Sequence, residues 1–268
     1  MKFVDVKNDV AFRKIFGNQK KSIVLISFLN AVLDLEGSNR ISKATIIDPY
    51  LLPRLKGEKA SILDVRATDQ RGRQFIVEMQ VADKKGFDKR VQFYTSRDYS
   101  MQIDRGEDYP KLKPTYFIGI LNFSIGFGKS YLSKHYSIEE ETGQCVFIQL
   151  TKFKKKRHEL VSLIDKWTFF IKNAENLDLI PEDIEDEGLK IAYQEADKHS
   201  WKKEELMAYE NAGIREQDQK GEIEFAREEK EVEIILNFHQ IGVSVAQIAQ
   251  ATGKTEEEIQ QIIARNKK

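Results

Sequence analysis

The 268-residue chain contains one cysteine, Cys145, so no disulfide can close within it and a cysteine-rich zinc site is excluded. Its four histidines are scattered, which argues against a zinc enzyme. No apolar run approaches the about 20 residues that cross a bilayer. The opening residues, MKFVDVKNDVAFRKIFG, carry charge where a secretory leader would have its apolar stretch. These absences together predict a cytoplasmic protein with no membrane partner.

What is present is enough for a core: 41% of the residues are hydrophobic and 32% charged. The formal net charge is zero, yet the charges are segregated. Residues 1–158 hold 29 Lys and Arg against 18 Asp and Glu, a net of +11, and residues 159–268 hold 14 against 25, a net of −11. A polyanion is attracted to the first part and repelled by the second. The length suits one large domain or one domain with an appendage.

Along the chain, Asn8–Phe16 and Ser22–Leu35 read as helices around Gly17, with Phe12, Ile15 and Phe16 on one face of the first. Lys43–Asp48, Ser61–Thr68 and Arg73–Val81 read as strands, the last two joined by a turn at Gln70-Arg71-Gly72. Phe87–Arg105 is helical, and Thr115–Phe123 and Gln144–Leu150 are strands. The order predicts an α/β or α+β core over residues 1–150. Beyond it lie an all-α extension over 151–230 and a small tail over 231–268. The tail's apolar positions Val245, Ile248, Ala249, Ile259 and Ile262, with a glycine in the turn, suit a helix-turn-helix. Its second helix begins Thr255-Glu256-Glu257-Glu258, which opposes phosphates and favours a protein-contact or regulatory role, including a homodimer through the C-terminal helices.

The chemistry concentrates in SILDVRATDQRGRQFIVEMQ, residues 61–80. Asp64 and Glu78 are embedded in apolar strand surroundings, where an unpaired carboxylate costs several kcal/mol. A hairpin symmetric about Arg71 pairs 67 with 75 and 64 with 78, placing the two carboxylates opposite each other with Cβ atoms roughly 5 Å apart. Such a pair is relieved by a hard divalent cation, Mg²⁺ or Mn²⁺. Strand alternation returns Gln80 to the face of Glu78. The bland alternative is a buried pair satisfied by Arg66 or Arg73.

These residues resemble the PD-(D/E)XK nuclease superfamily, and within it the transposase-like branch of recombination-promoting nucleases. The resemblance covers about residues 5–125. It rests on Lys7-Asn8-Asp9-Val10-Ala11-Phe12-Arg13-Lys14-Ile15-Phe16-Gly17, Val77-Glu78-Met79-Gln80, Arg90–Tyr99, Tyr109-Pro110 and Ile118–Phe123. It implies a restriction-endonuclease-like core, a central mixed sheet flanked by helices, and a metal-dependent DNA endonuclease linked to recombination or mobile elements. The superfamily's metal-holding acids map to Asp64 and Glu78, and its water-orienting position to Gln80, where lysine is commonest. Asp9 is the candidate acid of the first helix, with an N-cap as its structural alternative. Without lysine at 80 the chain could instead be a catalytically weak nuclease-fold protein that binds DNA or regulates through its helical tail.

Two further features concern DNA. Arg90, Tyr94 and Arg97 fall at i, i+4 and i+7 and share a helix face suited to gripping phosphates. The run Lys152–Arg157 has five basic residues and no acid, and either follows a DNA backbone or is simply solvated.

Overall fold

The computed structural model describes residues 2–51, 61–104, 106–126, 128–136 and 143–266. Helix α1, Asp9–Phe16, starts on Asn8, whose side chain accepts from the N–H groups of Val10 and Ala11. Its apolar face of Ala11, Phe12, Ile15 and Phe16 is buried. At Gly17 a Cβ would lie 2.6 Å from the Arg13 carbonyl oxygen, so only glycine lets the chain leave the helix there. Helix α2, Ile23–Leu33, is apolar on nearly every side and is correspondingly buried.

Strands β1, Ala44–Ile46; β4, Val65–Asp69; β5, Gln74–Gln80; β6, Thr115–Leu121; β7, Leu132–Tyr136; and β8, Gly143–Gln149, form a sheet in the order β1-β4-β5-β6-β8-β7. The central trio β5, β6 and β8 is parallel and the remaining pairs are antiparallel, so the sheet is mixed. Strands β2, Tyr50–Leu51, and β3, Ser61–Ile62, pair separately. The single strand expected over 61–68 is therefore broken at Leu63-Asp64 into β3 and β4. Strand β7, which was not foreseen, has a half-buried sequence, LSKHY, without the apolar alternation that announces a strand.

Alternation along the strands separates two cores. Phe75, Val77 and Met79 join Val65, Ala67, Ile118, Ile120, Val146 and Ile148 on the face covered by α1, α2, α4 (Leu163–Asn173) and α5 (Glu187–Ala196). Ile76, Phe117, Leu121 and Phe147 lie on the other, under α3 (Phe87–Ser100) with its Phe87 and Val91. Helix α3 ends at Ser100, short of the expected Arg105, which lies outside the described residues. Gln102 fixes the following turn, donating to the Lys113 carbonyl at 2.9 Å and accepting from its N–H at 2.8 Å.

The chain forms two compact units, residues 1–209 and 210–268. Of the helices expected as an extension after residue 150, α4 and α5 belong to the first unit, because Trp167, Phe170, Ile171, Leu189, Ala192 and Tyr193 complete the larger core. Helix α6 is continuous over Lys203–Gln240, so the tail expected to begin at residue 231 starts within it. In the second unit, Ile235 packs with Ile248 and Ala249 of α7 (Val245–Thr252) and Ile259 and Ile263 of α8 (Glu256–Arg265). Ile259 is buried as expected, the expected Ile262 is partly buried against the cluster, and Ile263 is buried beside them. No described helix is long and apolar enough to cross a membrane.

Candidate active site

The hairpin has the symmetry read from the sequence. Thr68 faces Gln74, Ala67 faces Phe75 and Val65 faces Val77, so the next step of the ladder brings Asp64 to Glu78. Asp64 sits where regular pairing stops, and its N–H is therefore available to a side chain. It donates to Glu78 Oε1 at 3.0 Å, while the Met79 N–H donates to Asp64 Oδ2 at 2.9 Å. The two acids thus clasp each other through backbone groups. Glu78 is buried, at 5% exposure, between strand neighbours that face the larger core.

Gln80 continues the line on the α3 side. Its Nε2 donates to Glu78 Oε2 at 2.9 Å, and its Oε1 accepts from Arg90 Nη2 at 2.6 Å. The Arg90 guanidinium lies 5.5 Å from the centre of the Phe87 ring. Of the three basic and phenolic residues expected on one face of α3, Arg90 reaches the acids through Gln80. Arg97 lies over Phe93 and Tyr94 packs against the smaller core.

Helix α1 supplies a residue that the sequence reading missed. Arg13 donates from Nε and Nη2 to Asp64 Oδ1 at 3.2 and 2.9 Å. The available signal was its spacing: Arg13 lies four residues after Asp9, one helical turn along the same face. Asp9 itself is exposed, and its charge acts on Asp64. The helix cap considered for it is made by Asn8, although Asp9 Oδ1 does accept from the Val10 N–H at 2.8 Å. The arginines considered as partners of the acid pair are engaged elsewhere, Arg66 with Asp98 and Arg73 with Asp69, both at 2.6 Å.

The electrostatics follow from this geometry. Burial pushes the Glu78 carboxyl up to about 8, and the nearby Asp64 charge pushes in the same direction. The Asp64 N–H, Arg90 and Arg13 oppose that rise. Burial also raises Asp64, helped by Asp9 and resisted by the Met79 N–H and by Arg13. Two carboxylates are held together in a place that favours neither charge.

Among the described residues no three His, Cys, Asp or Glu side chains are grouped as a closed metal cage. The donors that are present nevertheless fit a cation that takes one or two carboxylates and keeps its waters. They are hard oxygens, and Glu78 is short of positive charge. A cavity of about 920 Å³ under α3, lined by Phe87, Val91, His135, Cys145 and Phe147, includes neither acid. The charged residues of its lining, Asp83, Lys84, Lys85 and Asp88, are all exposed, whereas Glu78 is buried and held to Asp64, so the acids are the candidate site.

A family model described as PD-(D/E)XK nuclease family transposase matches residues 6–226. No curated protein and no solved structure matches the chain. The matched span holds Asp9, Asp64, Glu78 and Gln80, and it continues through α4 and α5, the helices that complete the core. With its mixed sheet, flanking helices and nuclease-like, mobile-element character, this chain belongs to the PD-(D/E)XK nuclease family transposases.

Proposed function

We propose that the protein is a Mg²⁺- or Mn²⁺-dependent DNA endonuclease that hydrolyses phosphodiester bonds in recombination or mobile-element transactions. The observation that carries this reading is the clasped pair Asp64–Glu78, with Glu78 raised to about 8 by burial and by the neighbouring Asp64 charge. Asp64 and Glu78 would hold the metal, and Asp9 would add negative charge beside them. When bound, the metal supplies Lewis acidity at the phosphate and lowers the pKa of a water.

The remaining work falls to side chains. Gln80 orients the attacking water through its amide, and Arg90 fixes that amide by its bond to Oε1. Arg90 also brings positive charge to a site where position 80 has none, and such charge stabilises an anionic phosphorane-like transition state. Tyr94 and Arg97 on α3 contact the flanking backbone. The test is plasmid nicking with Mg²⁺, Mn²⁺ or chelator by the wild type and by Asp64→Ala and Glu78→Ala. Metal-dependent cutting by the wild type and none by either variant is expected. Equal cutting by Asp64→Ala would remove the assignment.

A second reading is favoured by one specific observation: both ends of the Gln80 amide are engaged, and Arg13 holds Asp64. A protein fixed in that arrangement would bind DNA without cutting it. Salt-sensitive binding indifferent to Mg²⁺, with no nicking in Mn²⁺, would support this reading over the first.

A further inference from the structure

The basic run after β8 lines a shaped cleft. About 370 Å³ in volume, it is bounded by Phe153, Lys154, Lys155, Lys156, Arg157, Phe169, Lys172 and Asn173: five cations, two aromatic rings and no acid. A solvated run of lysines would have no fixed form, whereas this one is pinned from beneath. Lys172 of α4 donates to the carbonyls of Leu150 and Phe153 at 2.7 and 2.6 Å. Lys155 is held by Asp165 at 2.8 Å, and Phe153 is buried edge-on against Tyr131 with ring centres 4.9 Å apart. Lys154 and Lys156 are left exposed on this frame. The like charges are felt: burial holds Lys172 below the usual lysine range, and Lys154 and Lys7 push it further down. An anion in the cleft would relieve that repulsion.

The position of the cleft matters as much as its charge. Gln80, Leu121 and Gln149 are register partners at the same ends of the parallel strands β5, β6 and β8. Adjacent strands are about 4.8 Å apart, so the start of the basic loop lies on the order of 10 Å from Gln80 along one edge of the sheet. Lys7, two residues before Asp9, pairs with Asp5 and Glu175 and also donates to the Lys172 carbonyl at 3.4 Å, at the edge of the cleft. One nucleotide advances a strand by about 3.4 Å, so about three nucleotides separate Gln80 from Gln149, the strand end that leads into the cleft.

The geometry points to this cleft as a phosphate-binding subsite for the DNA backbone flanking the carboxylate pair. The choice of DNA as ligand rests on the nuclease reading; the anion site itself does not. Lys154 and Lys156 bind backbone oxygens, and the rings of Phe153 and Phe169 form an apolar floor that strengthens those contacts.

The test is fluorescence anisotropy of the full-length protein on a labelled 20-base-pair duplex in chelator, from 50 to 200 mM salt. With Lys154→Ala/Lys156→Ala, affinity at 100 mM salt should fall on the order of tenfold or more. The slope of log K against log salt should become shallower by about 1.8, two lost phosphate contacts at 0.9 each. Lys111→Ala/Lys113→Ala, near the opposite ends of the strands, should bind as the wild type does. An unchanged slope in the cleft variant, or no duplex binding by the wild type, overturns the proposal. Titration with inorganic phosphate separates the sources: phosphate binding lost while duplex binding is kept would make this a free-phosphate site and also overturn it. Cleavage is scored separately. A protein that cuts under no metal yet shows the shallower slope keeps the cleft and loses the nuclease reading. One that cuts normally with an unchanged slope does the reverse.

Discussion

Arg13 donates to Asp64 Oδ1 with two of its nitrogens while Asp64 Oδ2 accepts from the Met79 N–H, so one carboxylate is shared between a cation on a helix and the backbone of a strand. Arg13 is about half exposed, at 47%. A pair of that kind contributes about 1 kcal/mol or less. In the absence of metal Arg13 partly neutralises the acids, and it competes with any divalent ion for Asp64. Arg13→Ala should therefore lower the melting temperature in chelator by a few degrees. It should also tighten Mn²⁺ binding about fivefold, the equivalent of about 1 kcal/mol. Calorimetric titration with Mn²⁺ checks this, and weaker binding in the variant would show that Arg13 supports the site instead of competing for it.

Glu78 gives the protein a stability profile with a defined sign. Its folded value, about 8, lies above the ordinary 4.5. For a carboxyl shifted upward, the folded state holds the proton more tightly, so the contribution is fully present below pH 4.5 and lost as pH rises through 8. In chelator the protein should lose stability between about pH 5 and 8, by at most roughly 1.4 kcal/mol per pH unit from this group. Arg90→Ala removes a charge that lowers Glu78, so the upper end of the window should move to higher pH. Urea unfolding across that range measures both. A flat profile for the wild type would mean that Glu78 is ionised without help.

How much of this was legible in advance depended on whether the signal was local. The hairpin register followed from one turn and the two-residue period of strands, and it brought Asp64 to Glu78 as calculated. Helix α1 was legible from Phe12, Ile15 and Phe16, which share a face. Arg13 was less so, because its partner lies 51 residues away and its spacing from Asp9 says which face it shares but not what it meets there. Asn8 and Asp9 both suit an N-cap, and only the geometry assigned the cap to Asn8 and left Asp9 exposed in the first turn, acting on Asp64 through its charge. Strand β7 was hidden because LSKHY pairs at a sheet edge and carries no core face. The order of elements suggested a core ending near residue 150, yet burial decides domains, and the buried residues of α4 and α5 lie beyond that point.

The place of α5 in the core can be tested with a single methyl group. At Gly188 a Cβ would meet Ser27 Cβ at 2.5 Å and the Ile23 carbonyl oxygen at 2.6 Å, so α5 lies directly on α2 and cannot shift without opening the larger core. Gly188→Ala should destabilise the protein by about 1–3 kcal/mol, the range for overpacking. A chain ending at residue 150 loses Trp167, Phe170 and Tyr193 and should not fold, by circular dichroism and by cooperativity of melting. A cooperative transition in that fragment would restore the boundary that the order of elements suggested.

Gln80 is where sequence and geometry make the strongest joint demand. Its amide joins Glu78 to Arg90, so truncation removes the group proposed to orient water and also releases the arginine. Gln80→Ala should lower the nicking rate by roughly tenfold to a hundredfold, as for a reacting group misplaced by an ångström, while duplex affinity in chelator stays the same. Gln80→Lys tests the charge. An ammonium beside Glu78 opposes the effect of burial, so the pH-dependent loss of stability in chelator should shrink. The same ammonium repels Arg90, so the faster cutting expected from added charge should be largest in Gln80→Lys/Arg90→Ala. Plasmid nicking by the four proteins, with urea unfolding at pH 6 and 8, separates the two roles. If Gln80→Ala cuts at the wild-type rate while its unfolding profile changes, Gln80 is a strut between Arg90 and Glu78, and the water is oriented by another group.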